Sequence, residues 1–258
     1  FVFRTVSIRA IHFDSVPCLL ELLLRNASVI KVAGLGDSSF HKLMQAIESC
    51  GDTIPRHQRL RISHSQNVSE YNMVVEEPVC QYLSKAIDQL HIRSNLLYKN
   101  NALMTQFNSV SYLSVAADFD GDSTQLHVFP NVSSLSVNLQ NSVTATQVAL
   151  QLVSAYGEKL HHLAITGARD EENQQLEPTI RSKCTNLRTL LVTDIPALPN
   201  AASQLVSILS LKKLSLSFAS NIAILPNAGL DLSGSCLEHL SLSKGTVTKD
   251  TVTTLNTA

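Results

Sequence analysis

Leu211-Lys-Lys-Leu-Ser-Leu216 decides the fold, because its spacing recurs through the chain. An aliphatic residue is followed by two free positions, a second aliphatic, one free position and a third aliphatic. The last three residues alternate, as in a strand buried on one face. Outward from it the same spacing returns in Leu237-Glu-His-Leu-Ser-Leu242, Leu187-Arg-Thr-Leu-Leu-Val192, Leu160-His-His-Leu-Ala-Ile165, Val132-Ser-Ser-Leu-Ser-Val137 and Val110-Ser-Tyr-Leu-Ser-Val115. Four more lie further upstream: Ile87-Asp-Gln-Leu-His-Ile92, His57-Gln-Arg-Leu-Arg-Ile62, Ala27-Ser-Val-Ile-Lys-Val32 and Phe3-Arg-Thr-Val-Ser-Ile8. Ten sextets in 258 residues make an internal repeat, which has to be recognised before any other element is assigned.

The segments between sextets carry a different period. Ser39 to Glu48 places Phe40, Leu43, Met44 and Ile47 on one helical face, and Thr146 to Tyr156 does the same with Val148, Leu152, Ala155 and Tyr156. Gly157 is placed to end the second helix. Ala201 to Leu209 reads similarly. Ser65 to Pro78 and Asp170 to Gln175 read as polar surface excursions.

Composition narrows the function classes. Net charge is −1, so no global field points to nucleic acid or to a membrane surface. The most apolar run, Val16 to Leu24, contains Glu21 and is too short to span a bilayer. Trp is absent, so aliphatic ladders must fill the core. The five cysteines are far apart and odd in number, and read as reduced, mostly buried thiols of a cytoplasmic or nuclear protein. Asn26, Asn67 and Asn131 begin glycosylation-type triplets; Val132, inside one of them, falls in an expected strand.

The sextets resemble the leucine-rich repeat family, whose unit runs L-x-x-L-x-L-x-x-N/C-x-L. The resemblance covers nearly the whole chain. It implies an α/β solenoid with a curved parallel sheet on its concave side and helices and irregular turns on its convex side. Residues 1–258 would be one domain of about ten units, cut at both ends. The family's Asn or Cys belongs five places after the central aliphatic. Asn95 and Asp118 match; Ile11, Leu35, Ser65, Gln140, Ala168, Ile195, Ala219 and Gly245 depart from the pattern. Ser182 to Leu190 and Ser233 to Leu240 resemble the Cys-containing repeats of F-box proteins. Phe1 to Ile8 resembles the stretch that follows an F-box. That likeness implies a substrate receptor in ubiquitin ligation, engaging a ligase adaptor through a segment before residue 1.

Motifs that could carry chemistry are few. Asp118-Phe-Asp-Gly-Asp122 resembles the nucleophile motif of haloacid-dehalogenase-type phosphatases, with Asp118 as nucleophile and Asp120 as acid/base. A turn leaving a repeat strand explains the same letters. Val29 to Gly36 reads as strand, G-x-G and helix, but lacks a third glycine for a dinucleotide. His161 and His162 are strand neighbours, which face opposite sides and cannot readily share an ion. No catalytic residue, cofactor or metal is therefore assigned.

The outward positions give a sharper expectation. They flank each central aliphatic at minus one, plus one and plus three. None is Asp or Glu, and the cations gather in the first four units. Lys31, Arg61 and His91 should share one column at about 4.8 Å spacing, where two unit charges repel by about 0.8 kcal/mol in water. A negative ligand would relieve that repulsion. The expected partner-binding residues are Arg9, Lys31, Arg59, Arg61, His91 and Arg93, with Tyr112 as an aromatic anchor. The reading is a non-catalytic protein-interaction module that binds an acidic or phosphorylated protein, with no nucleic acid and no membrane. A scaffold subunit of a larger assembly is the alternative, and a phosphatase on Asp118 and Asp120 a further one.

Overall fold

A computed structural model describes residues 3–15, 17–64, 77–94, 97, 107–117, 126–139, 143–167, 175–195, 205, 208–223 and 235–246. All ten sextets form strands: β1 (Phe3–Arg9), β2 (Ala27–Leu35), β3 (Arg59–His64), β4 (Ile87–Arg93), β5 (Tyr112–Ala116), β6 (Ser134–Asn138), β7 (His162–Thr166), β8 (Thr189–Ile195), β9 (Lys213–Ala223) and β10 (His239–Thr246). They hydrogen-bond in chain order into one sheet, and every pairing described is parallel. The class is therefore α/β. Parallel neighbours require a return crossing between strands. Helices α1 (His12–Ser15), α2 (Pro17–Asn26), α3 (Asp37–Cys50), α4 (Glu77–Ala86), α5 (Val143–Tyr156) and α6 (Leu176–Lys183) lie on those returns.

Alternation sorts the strand residues. The central aliphatics of β2 to β9 (Ile30, Leu60, Leu90, Leu113, Leu135, Leu163, Leu190 and Leu214) are at most 2% exposed. Those of the terminal strands, Val6 and Leu240, are only half-buried. A side chain on an inner strand is covered from both flanks, whereas one on an end strand is covered from one.

The chain contacts gather into two compact units: Phe1–Ser114 with Ser123–Asn131, and Val115–Asp122 with Val132–Ala258. In the first unit α3 begins where Gly36 N–H donates to Ser39 Oγ at 2.9 Å, half of a capping box. Its predicted apolar face is buried at Phe40, Leu43, Met44 and Ile47. Pro17 opens α2, where a missing N–H costs nothing. The carbonyls at the end of α2 are closed by Gln58. Its Nε2 donates to Leu24 O at 2.8 Å, Ala27 O at 2.6 Å and Leu23 O at 3.4 Å. Its Oε1 accepts from the Tyr82 hydroxyl at 2.6 Å. Gln58 is 1% exposed, so these bonds are what make its burial tolerable. Gly34, at φ +72°, sits where β2 shifts register against β3. That left-handed bulge accounts for the first glycine of the G-x-G.

In the second unit the predicted face of α5 is buried at Val148, Leu152 and Tyr156, and Ala155 is exposed. Gly157 ends the helix in a short 3-10 turn to Lys159. One backbone pattern repeats before β7, β8, β9 and β10. Ser133 O accepts from His161 and His162, His161 O from Arg188 and Thr189, Arg188 O from Lys212 and Lys213, and Lys212 O from Glu238 and His239. Each unit thereby fixes the entry of the next strand.

Four expectations are revised. The central aliphatics of β3 and β4 do not pair: Arg61 lies beside Gln89 and Ser63 beside His91, after a register shift between Leu60 and Arg61. Asparagines serve the turns from another place, just before the sextet: Asn131 Nδ2 donates to Asn108 O at 2.6 Å and Asn186 Nδ2 to Glu158 O at 2.8 Å. The polar excursion ends by Glu77, which already belongs to α4. Cys50 and Cys184 are buried, but Cys18 and Cys236 are exposed. Asn95, Asn67, Asp118, Asp120 and most of 201–209 lie outside the described residues.

Candidate functional site

The outward face of β1 to β4 belongs to the first unit. One row across it runs Ser7, Lys31, Arg61, Gln89, and the next runs Arg9, Ala33, Ser63, His91. Lys31 and Arg61 are therefore direct neighbours, as expected. His91 stands in the other row, so the column of three cations is broken at β4. The reason is the register shift, which moves β4 by one side-chain pair along β3.

The cations also differ in how far they are already engaged. Arg59 is exposed, and its Nη1 donates to Lys85 O at 2.7 Å. Arg61 is half-buried, with Nε 3.6 Å from Asp88 Oδ1. Those two atoms are shielded from solvent and share an ion pair without a hydrogen bond. Arg93 is half-buried and interacts within the fold. The His91 ring is half-buried against Tyr112, with centroids 5.4 Å apart and planes tilted by 51°. Burial lowers the His91 pKa below its ordinary 6.5, so the ring is mainly neutral at pH 7. Tyr112 is half-buried and serves first as His91's neighbour. Arg9 and Lys31 remain: both are exposed, and neither has a carboxylate at ion-pair distance among the described residues.

Asp88 is the residue that sequence reasoning missed. It occupies the second position of its sextet, which is not one of the three outward positions that the alternation marks. Its proximity to Arg61 follows from the register shift, which has no hydrophobic signature.

Two open clefts adjoin this unit's strands and helices. One, of about 910 Å³, lies between α3 and α4 over the Gln58–Tyr82 bond, and Glu48, Asp52, Arg56 and Lys85 are among its lining residues. Burial pushes the Tyr82 phenol well above its ordinary range, and Cys50 adds to the shift. The other, of about 800 Å³, is lined by β1, α2 and the cations Arg9 and Lys31.

No family model matches the chain, and a search of curated proteins finds no relative. Among the described residues no three His, Cys, Asp or Glu side chains gather as a metal ion would require. No described helix is long and apolar enough to cross a membrane. His161 and His162 are both exposed, before and at the start of β7.

Proposed function

We propose that this chain is a non-catalytic interaction module of the leucine-rich-repeat kind, binding an acidic or phosphorylated protein on the outward face of its first strands. The observation that supports this best is the pair Arg9 and Lys31, exposed on adjacent strands of a chain whose net charge is −1. No side chain at the outward positions of β1 to β4 is a carboxylate: they are cationic, hydroxylated, amide-bearing or aliphatic, with the neutral ring of His91. A carboxylate or phosphate there gains charge-assisted hydrogen bonds without displacing an existing partner. Arg61, half-satisfied by Asp88, contributes as a neighbouring field. In the F-box-type setting that the repeats resemble, the module is the substrate-recognition part of a ligase receptor, acting in cytoplasm or nucleus.

The test is calorimetric titration of a partner isolated with the full chain, before and after phosphatase treatment. Lys31→Glu and Arg9→Glu are expected to weaken binding about tenfold each. Unchanged affinity in both variants defeats the proposal.

A further inference from the structure

A second group of cations belongs to the second unit, where two neighbouring rows cross the entries of β7 to β10. The first row is set by the carbonyl pattern: His161 O accepts from Arg188 N–H, Arg188 O from Lys212 N–H and Lys212 O from Glu238 N–H. The second is set by strand register and runs His162, Thr189, Lys213, His239. All eight side chains are exposed except Thr189, which is half-buried. Lys212 Nζ is taken by Glu238 Oε1 at 2.6 Å. Arg188 and Lys213 have no carboxylate at ion-pair distance among the described residues. They belong to β8 and β9 and their approaches, and both strands are paired on both flanks.

The next outward row, about 7 Å further along the strands, runs Ser136, Ala164, Leu191, Ser215, Ser241. Leu191 is 37% exposed. No other outward residue of β6 to β10 is both apolar and larger than alanine, and none is Asp or Glu. Its neighbours Ala164 and Ser215 are too short to cover its flanks. The face thus has one apolar side chain on its middle strand and unpaired cations beside it. An apolar centre with a polar rim is the arrangement in which protein interfaces concentrate affinity.

We infer that the outward face of β7 to β9 binds an acidic segment of a partner protein that carries a large apolar side chain beside its carboxylates. The apolar side chain seats against Leu191, in the space over Ala164 and Ser215. The carboxylates meet Arg188 and Lys213 in charge-assisted hydrogen bonds. This surface shares no residue with the face of β1 and β2 proposed above, and either stands without the other. Nucleic acid is the poorer occupant: the outward positions of β7 to β10 hold no Phe, Tyr or Trp on which bases would stack. A second copy is poorer too, since this face pressed on itself sets cation against cation.

The experiment uses the full chain and a fluorescein-labelled octapeptide of glutamates with two central leucines, read by fluorescence anisotropy. Further arms carry serine for the leucines, lysine for the glutamates, or an oligouridylate of the same length. The glutamate–leucine peptide is expected to bind, the serine peptide about fivefold more weakly, and the lysine peptide not at all. Lys213→Glu and Arg188→Glu should each weaken both acidic peptides about tenfold. Leu191→Thr, which suits a strand, should bring the leucine peptide down to the affinity of the serine peptide and leave the serine peptide unmoved. If a glutamate variant does not fold, Lys213→Gln and Arg188→Gln replace it, with an expected loss of about threefold. Equal affinity for the leucine and serine peptides overturns the apolar anchor and with it the inference. So does unchanged affinity in the folded Lys213 and Arg188 variants, or tighter binding of the oligouridylate than of the glutamate–leucine peptide. Loss with Arg9→Glu but not Lys213→Glu puts the peptide on the first unit and overturns this site alone. A dimer by light scattering that Leu191→Thr dissociates puts a second copy on the face and overturns it. No binding of either acidic peptide at millimolar concentration overturns it as well.

Discussion

Gln58 shows how much one residue carries in this fold. Its amide closes carbonyls at the end of α2 and its carbonyl takes the Tyr82 hydroxyl, all out of solvent. Gln58→Ala strands these groups, and each buried orphan costs about 1–3 kcal/mol. The expected loss is about 3 kcal/mol by urea unfolding, against about 1 kcal/mol for Tyr82→Phe, which orphans a single acceptor. A Tyr82→Phe loss equal to that of Gln58→Ala would show that the helix-end bonds contribute little. His91 gives a pH dependence with a definite sign. Its folded pKa lies below the unfolded 6.5, so the unfolded chain takes up the proton first. Stability is held above pH 6.5 and lost as pH falls below it. His91→Gln should remove that component of the slope on the acid side of pH 6.5. An unchanged slope would place the titration elsewhere. Gly157 is constrained by space: a Cβ there would lie 2.7 Å from Lys183 Cβ and 3.0 Å from its backbone. Gly157→Ala is expected to cost about 1–3 kcal/mol, with Gly51→Ser, in open space but at φ +48°, a control that strains the backbone instead.

At the scale of the element, the clearest case is β3 against β4. Their aliphatics predict pairing of Leu60 with Leu90, yet Ile62 takes that place. A one-residue slip would turn every side chain to the wrong face, and the hydrophobic pattern forbids it. A two-residue slip leaves Leu60, Ile62, Leu90 and Ile92 all buried, so the pattern is blind to it. This is why all ten strands and the long helices α3 and α5 were legible, while the cation column was not. Arg9 and Lys31 were found because β1 and β2 keep the expected register; Asp88 was missed because β4 does not. Helices α1 and α6 gave no usable signal, being only 4 and 8 residues long. The slip also predicts a coupling. Asp88→Asn should cost about 1 kcal/mol with Arg61 present and less in the Arg61→Gln background. Additive losses in that double-mutant cycle would mean the 3.6 Å pair is not felt.

At the scale of the whole molecule, the two ends of the sheet order are where burial runs out. In the first unit Val6 is half-exposed beside fully buried Ile30; in the second, Leu240 and Leu242 are half-exposed beside Leu214 and Leu216, at 0% and 1%. Opening a strand frees its backbone amides at a cost set by the apolar contacts it breaks. A terminal strand breaks contacts on one flank and an inner strand on two. Amides of β1 and β10 should therefore exchange at least about tenfold faster than those of β2 and β9, a difference of about 1.4 kcal/mol. Mass-resolved exchange at neutral pH measures both units in one experiment. Equal exchange of β1 with β2, and of β10 with β9, would mean that the contacts on a strand's flanks do not set the cost of opening it.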